Sequence, residues 1–210
     1  MNLDEVDTPP DLIQLLSAEE RERAGRFAFA RDRRRYQRAH IGVRRVLAQL
    51  LGASDPSAVH VRTRPDGKPF LADTPWLHFN LSHSDSVAVV AVSEHAEVGV
   101  DVESCRVIDD ADAMVLAHFS PTEQAGWHSV ARDLRDRSFL RCWTRKEAVV
   151  KAVGTGLTIA LDTLDVGVGG ERRRVRCHEA GGAPWALDLA TVELPGGAIV
   201  SVAHRARSDA

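Results

Sequence analysis

Hydrophobic side chains recur at helical spacing in two long stretches of the chain. In the first stretch they alternate with arginines and predict a helix over about 32–51, which Gly52 ends. The second stretch predicts a helix over about 134–153, closed by Gly154, and a shorter helix at about 109–118 precedes it. The first third and the middle of the chain are therefore expected to be helical.

Two short segments have the composition of helix N-termini. Ser17 is followed by Glu20, so that hydroxyl and carboxylate can each bind a backbone amide that the first turn leaves unpaired. Ser120 is followed by Pro121 and Glu123, which places proline at the first helical position and an acid at the third. We expect a helix to begin after each serine.

Short apolar runs between turn residues predict β-strands. Residues 97–103 alternate strictly, with three valines on one face and Glu97, Gly99, Asp101 and Glu103 on the other. The other predicted strands are 59–61, 76–81, 87–92 and several within 161–205. Residues 64–69 are rich in proline, glycine and aspartate and predict a turn.

The order of these elements indicates the fold class. Each half of the chain reads as helices followed by strands, which predicts an α+β fold of two similar halves related by pseudo-twofold symmetry. We expect the halves to comprise residues 1–100 and 101–210. No low-complexity linker separates them, so close packing is expected.

Composition excludes several classes of protein. The 210 residues carry 27 basic and 30 acidic side chains, and a net charge of −3 argues against a nucleic-acid binder. No apolar run approaches the roughly 20 residues that span a membrane, and the acidic N-terminus is unlike a signal peptide. The three cysteines are far apart and predict reduced thiols. A soluble cytoplasmic protein is expected.

Lysine is rare among the cations. Only three of the 27 are lysines, namely Lys68, Lys146 and Lys151. Lys68 projects from a turn between glycine and proline. Lys151 lies at the end of the long predicted helix. Lys146 lies on the same helix and is expected to be an ordinary surface residue.

Asp101 and Glu103 are the first candidates for chemistry. Side chains at i and i+2 of a strand leave the same face about 7 Å apart. Carboxylates held so close repel each other unless a cation lies between them, and hard oxygen ligands suit Mg²⁺. The alternative is an ordinary acidic strand edge.

Glu147 and Lys151 form a second candidate site. They are spaced by four and so share one side of the helix with Trp143. The glutamate has the chemistry of a third metal ligand or a base, and the lysine that of a phosphate ligand. A surface ion pair beside a packed tryptophan is the alternative.

Ser82, His83 and Ser84 follow one another at the end of a predicted strand. Their hydroxyls, imidazole and backbone donors have the composition of a phosphate clamp. A serine nucleophile with a histidine base is disfavoured, because adjacent side chains on a strand diverge and no GxSxG turn is present. The arginines of 32–51 are either a solvated basic face or an anion site.

Taken in their order along the chain, these segments together resemble the motifs of one protein family. The chain contains GKPFL, FNLSHS, GVDVE, FSPTE and WTRKEAVVKAVGTGL, and across about 31–161 it closely resembles the Sfp-type 4′-phosphopantetheinyl transferases. The resemblance implies transfer of the phosphopantetheine arm of coenzyme A to a serine of an acyl- or peptidyl-carrier protein, with release of adenosine 3′,5′-bisphosphate. It implies the two-half α+β fold of that family.

The resemblance also implies a metal and catalytic centre. The family's Mg²⁺ ligands correspond to Asp101 and Glu103, with Glu147 as a third ligand, a base, or both. Lys151 and His83 correspond to groups that stabilise charge on the phosphates during transfer.

The resemblance also implies which residues bind coenzyme A, and some of them are the catalytic residues just named. Ser82, His83 and Lys151 correspond to contacts with its phosphates. Lys68 and Arg38 correspond to the subsite of its 3′-phosphate.

Two other functions stay open at this stage. One is a coenzyme A or nucleotide binding module without catalysis, and the other is a Mg²⁺-dependent hydrolase that cleaves coenzyme A with water. Glu123 matches a recurrent family acid. A monomer is expected, because two halves in one chain can form the cleft, and the kind of carrier is not specified: fatty acid, polyketide or nonribosomal peptide.

Overall fold

The computed structural model describes residues 1–4, 9–154, 159–170, 172–177 and 185–206. In the first half the elements are α1 (Pro10–Ile13), α2 (Ala18–Gly25), α3 (Ala30–Leu51), β1 (Val61–Thr63), β2 (Pro69–Leu71), β3 (His78–Ser84) and β4 (Val87–Ser93). They continue with β5 (Val98–Glu103), α4 (Ala111–His118), α5 (Pro121–Ser129), α6 (Arg135–Val153), β6 (Arg172–Cys177), β7 (Trp185–Glu193) and β8 (Ile199–Arg205).

The helices agree closely with their predicted bounds. Both long helices begin and end within two residues of prediction, and each is followed by a left-handed glycine, Gly52 at φ 66° and Gly154 at φ 83°. Both predicted capping boxes are present, at the N-termini of α2 and α5. Local sequence is sufficient here because caps and apolar periodicity act within a few residues.

The strands form three antiparallel sheets among the described residues. β1 pairs with β2, β3 pairs with β4, and the third sheet has the order β5-β8-β7-β6. β2 falls partly in a segment predicted to be a turn, because three residues beginning with proline are too few to reveal an alternation. β3 lies two residues later than predicted, and its polar end is held by contacts with β5 described below.

The predicted fold class is confirmed. The chain is α+β in two parts, each with a long helix and small antiparallel sheet structure. One core lies between α3 and β1–β3, around Leu47 and Phe79, and a larger one surrounds α6. β5 pairs with β8 and also packs against β3 and β4, so it joins the two parts.

Lys146 corrects a prediction. Its side chain is not on the surface but fully buried, with its ammonium 2.6 Å from a carboxylate oxygen of Glu123, which is also fully buried. It also donates hydrogen bonds to the carbonyl oxygens of Leu161 and Leu164, and lies over the Phe119 ring. The pair joins α5, α6 and the segment after α6.

Among the residues with described positions, no helix is both long and apolar enough to cross a membrane.

Candidate active site

A row of side chains on β3 binds the free edge of β5. Asn80, Ser82 and Ser84 all lie on one face of β3, because side chains alternate along a strand. The three hydrogen bonds are Val100 N–H to Asn80 Oδ1 (3.0 Å), Val102 N–H to Ser82 Oγ (3.4 Å) and Ser104 N–H to Ser84 Oγ (3.2 Å). We call this row the side-chain seam. It satisfies backbone donors that an edge strand otherwise leaves unpaired.

Two of the seam hydroxyls also hold the predicted metal ligands. Ser82 Oγ donates to Asp101 Oδ1 at 2.8 Å, and Ser84 Oγ donates to Glu103 Oε2 at 2.9 Å. Glu103 is also paired with Arg106 at 2.6 Å. Two carboxylates spaced by two residues on β5 therefore match two serines spaced by two residues on β3.

Lys151 reaches the same group of residues from α6. Its ammonium lies 2.6 Å from Asp101 Oδ1 and 3.2 Å from Ser82 Oγ. The helix comes close to β5 because Gly99 has no side chain: a Cβ there would lie 2.2 Å from the Ala148 carbonyl oxygen. The predicted proximity of Lys151 to the acidic strand is thus present.

Glu147 lies one helical turn before Lys151. Burial raises the pKa of Glu147, and although the charge of Lys151 opposes this shift, the negative charges of Asp101 and Glu103 add to it. Burial likewise raises the pKa of Asp101, against the opposing effect of Lys151. The three carboxylates therefore share one electrostatic environment.

These residues fit a hard cation in their chemistry. Asp101 Oδ2 is buried without a hydrogen-bond partner among the described residues, and such an orphaned carboxylate oxygen is a ready ligand. Within the described ranges no three His, Cys, Asp or Glu side chains converge on a single point. Lys151 and Arg106 instead supply positive charge to Asp101 and Glu103.

His83 is exposed and lies on the face of β3 opposite Ser82. Partial desolvation lowers its pKa, and the positive charges of His40, Lys151 and Arg35 lower it further. His83 therefore lies in a positive environment, which suits a group that meets an anion.

Lys68 has partners inside the protein. It is buried, its ammonium lies 2.7 Å from Glu97 Oε2, and it donates to the Ala152 carbonyl oxygen at 2.8 Å. Desolvation lowers its pKa, against the attraction of Glu97. The predicted phosphate ligand is thus also a link between the β1–β2 turn and the end of α6.

The arginines of α3 do not form one solvated face. Arg38 is half-buried and donates to the Leu3 carbonyl oxygen at 2.7 Å. Arg44 is buried and binds Glu20 at 2.7 Å as well as the Val59 carbonyl oxygen. Part of the basic character of this helix is therefore used to hold α2 and β1 in place.

A cavity of about 640 Å³ opens between α2, α3 and the β1–β2 pair. The residues that line it are Ser17, Glu19, Glu20, Glu22, Arg23, Arg26, Phe27, Tyr36, His40, Val61, Thr63 and Pro69. Desolvation is the main cause of the lowered pKa of His83, and the charges of two cavity residues, His40 and Arg23, contribute to it. The sequence analysis did not predict this cavity, because its walls come from three separate segments of the chain. The aromatic and basic residues of those segments are the only sequence feature that pointed to a binding site there.

The matches to known protein families divide the chain into the same two parts as the fold. The profile described as 4′-phosphopantetheinyl transferase, N-terminal, matches residues 10–95, and that of the 4′-phosphopantetheinyl transferase superfamily matches residues 97–202. The boundary between them falls just before β5.

Curated relatives give a similar result. The chain is 36% identical over 150 residues to the 4′-phosphopantetheinyl transferase HetI of Nostoc sp., covering 70% of this chain and 63% of that protein. It is 32% identical over 157 residues to a 4′-phosphopantetheinyl transferase of Bacillus subtilis (74% and 67% covered) and 32% identical over 165 residues to psf-1 of Bacillus pumilus (77% and 69% covered). The chain thus spans about two thirds of the length of these relatives, and slightly less of HetI. Together with the profile matches, these identities establish that the chain belongs to the 4′-phosphopantetheinyl transferase superfamily.

Proposed function

We propose that this protein transfers the 4′-phosphopantetheine moiety of coenzyme A to a serine of an apo acyl- or peptidyl-carrier protein. The products are the holo-carrier and adenosine 3′,5′-bisphosphate. The observation that carries the proposal is the cluster of Asp101, Ser82 and Lys151, in which strand, seam and helix bring a carboxylate, a hydroxyl and an ammonium within 3.2 Å of one another. Family membership supplies the reaction class.

Lys151 and His83 are the proposed ligands of the coenzyme A phosphates. Lys151 is 29% exposed, so its ammonium is accessible from solvent while paired with Asp101. An ammonium next to the breaking P–O bond of a pyrophosphate stabilises the charge that develops on the leaving group. His83 adds a hydrogen-bond donor, and the negative charge of a bound phosphate would raise its proton affinity.

The cavity beside His40 is the proposed site of the nucleotide end of coenzyme A. Tyr36 and Phe27 offer aromatic surface there, and Arg23 and Arg26 offer positive charge. Arg38 and Lys68 stay predicted ligands of the 3′-phosphate. For Lys68 that role requires the ammonium to share its hydrogen bonds with Glu97 and Ala152.

Asp101, Glu103 and Glu147 would hold Mg²⁺, since they provide the hard oxygen donors that this ion takes. When bound, the ion would neutralise charge on the pyrophosphate and so favour its cleavage. The partly unpaired carboxylate of Asp101 is the feature of this chain that supports the assignment.

Glu147 is the proposed acceptor of the carrier serine's proton, directly or through a water. As the serine oxygen forms its bond to phosphorus, the bond to the adenosine bisphosphate oxygen breaks and that oxygen keeps the electron pair. The proton moves to Glu147 Oε. Burial raises the pKa of Glu147 and the charge of Lys151 opposes this shift, which favours the ionised form that accepts the proton.

Further parts of the proposal concern the roles of the two halves, the location of the protein and its oligomeric state. We infer that residues 1–100 mainly bind coenzyme A, that residues 101–210 supply the metal and catalytic residues, and that the protein acts as a cytoplasmic monomer. Gel filtration tests the oligomeric state.

Mass spectrometry of carrier proteins tests the proposed reaction. A panel of apo-carriers from fatty acid, polyketide and nonribosomal peptide systems is incubated with coenzyme A, Mg²⁺ and the protein. At least one carrier is expected to gain one phosphopantetheine group. No gain on any carrier, with coenzyme A bound intact, would favour a non-catalytic binding module, and release of phosphopantetheine without a carrier would favour a hydrolase.

Two variants serve as controls for that experiment. Asp101→Ala is expected to abolish the mass gain. Asp188→Ala removes a carboxylate that is paired with Arg174 at the surface of β7, and is expected to leave transfer intact.

A further inference from the structure

The hydroxyl of Ser82 has no hydrogen-bonding capacity left over. A hydroxyl donates one hydrogen bond and accepts two. Ser82 Oγ donates to Asp101 and accepts from the Val102 amide and the Lys151 ammonium. It is also buried. Its interactions are therefore with the protein's own active-site groups.

Ser84 repeats the same arrangement two residues along the strand. Its hydroxyl accepts from the Ser104 amide and donates to Glu103. Each serine thus binds a carboxylate and the backbone amide of the residue that follows that carboxylate. Asn80 extends the row by accepting from the Val100 amide, just before Asp101.

This repetition holds β5 in one position along β3. Both strands have a period of two residues, so a shift by one residue would remove all three amide bonds and both carboxylate bonds together. The strands have no backbone pairing with each other that would set this position, since β3 pairs with β4 and β5 pairs with β8.

We propose that Asn80, Ser82 and Ser84 are positioning residues: the seam orients the carboxylates of Asp101 and Glu103 for the cation and phosphates of the transfer reaction. The inference rests on the proposed function and extends it to Asn80, which the sequence did not single out, and to Ser84, which the sequence placed only in a phosphate clamp. It also assigns Ser82 an action through Asp101, and Ser82 stays a predicted contact of the coenzyme A phosphates.

The test compares Ser84→Ala with Ser84→Thr and Ser93→Ala. Ser93 is a matched control, because its hydroxyl also accepts from backbone amides, those of His95 and Ala96, but contacts no carboxylate in the part of the chain that the structure describes. Calorimetric titration with Mg²⁺, in the presence of coenzyme A, measures ion affinity without requiring turnover. We expect Ser84→Ala to weaken it about tenfold or more, as is typical when the partner of a metal ligand is removed. Ser84→Thr is expected to restore most of it, and Ser93→Ala to leave it unchanged.

A second measurement has one arm that uses the unaltered protein, and this arm does not depend on a variant's folding. Amide hydrogen exchange followed by NMR is expected to find the Ser104 N–H protected, and the same amide exposed to faster exchange in Ser84→Ala. Wild-type ion affinity in Ser84→Ala, or an unprotected Ser104 amide, would overturn the inference. Protein whose Mg²⁺ affinity depends on Ser84 but that modifies no carrier would instead refute the proposed function, so the two failures are distinguishable.

Discussion

Gly99 of β5 and Ala148 of α6 are in direct backbone contact. A Cβ at position 99 would lie 2.2 Å from the Ala148 carbonyl oxygen and 2.3 Å from the Ala152 nitrogen. Backbone atoms in the middle of a helix cannot move aside individually, so any side chain at this position would push the whole helix away from the strand. The same contact sets the distance between Lys151 on the helix and Asp101 on the strand.

Gly99→Ala is therefore expected to lower both stability and transfer. The free energy of unfolding should fall by about 1–3 kcal/mol, the usual cost of inserting volume into a packed core. Urea denaturation measures this cost, and the carrier assay measures the accompanying loss of activity. Gly25→Ala is the control: no atom lies within 4 Å of the added Cβ, and stability should be unchanged or slightly higher.

The buried pair of Lys146 and Glu123 leads to a second prediction. Lys146→Met leaves the Glu123 carboxylate buried without its counter-ion, which typically costs about 3–5 kcal/mol. Chemical denaturation of the variant measures the loss. Glu22→Gln breaks an exposed ion pair with Arg26 and should change stability by less than about 1 kcal/mol. An equal effect of the two substitutions would contradict the structural role of the buried pair.

Lys68 offers a way to separate structural from ligand-binding effects. Lys68→Met removes the hydrogen bonds to Glu97 and to the Ala152 carbonyl oxygen, and should cost about 1–3 kcal/mol of stability as well as raising the KM for coenzyme A. A lysine that acted only on phosphate would raise KM and leave stability unchanged. Arg62→Ala, at an exposed cation on β1, is the control and should affect neither quantity.

The raised pKa of Glu147 predicts how the stability of the protein depends on pH. Its pKa is raised in the folded protein, so ionisation of this group favours the unfolded state. Glu147→Gln should therefore be at least as stable as wild type at pH 7–8. Its advantage should shrink as the pH falls through the raised pKa, where the wild-type carboxyl becomes neutral.

Activity should have the opposite dependence on that ionisation. Transfer by the wild type should decline once the pH is low enough to protonate Glu147, because a protonated Glu147 cannot accept the serine proton. Glu147→Gln should lack transfer at every pH. Thermal denaturation and the carrier assay across pH 5–9 check the two effects, and a near-normal rate for the variant would refute the catalytic assignment.

The sequence by itself determined the local elements and part of the site. The N-termini of α2 and α5, the glycine ends of α3 and α6 and the alternation of β5 follow from interactions within a few residues. The spacing of Asp101 and Glu103 placed both carboxylates on one surface of a strand, again from local geometry. The spacing of Glu147 and Lys151 likewise placed both side chains on one surface of a helix.

Only the tertiary structure decided how those surfaces meet. The burial of Lys146, the partners of Lys68 and the cavity beside His40 all depend on segments far apart in the chain. The seam is a further example: Ser84 and Glu103 are 19 residues apart, and nothing in the spacing of either strand indicates that their side chains join. Caps and periodicity act along the chain and are visible in it, whereas the partner of a buried charge or hydroxyl is selected by the packing of distant elements.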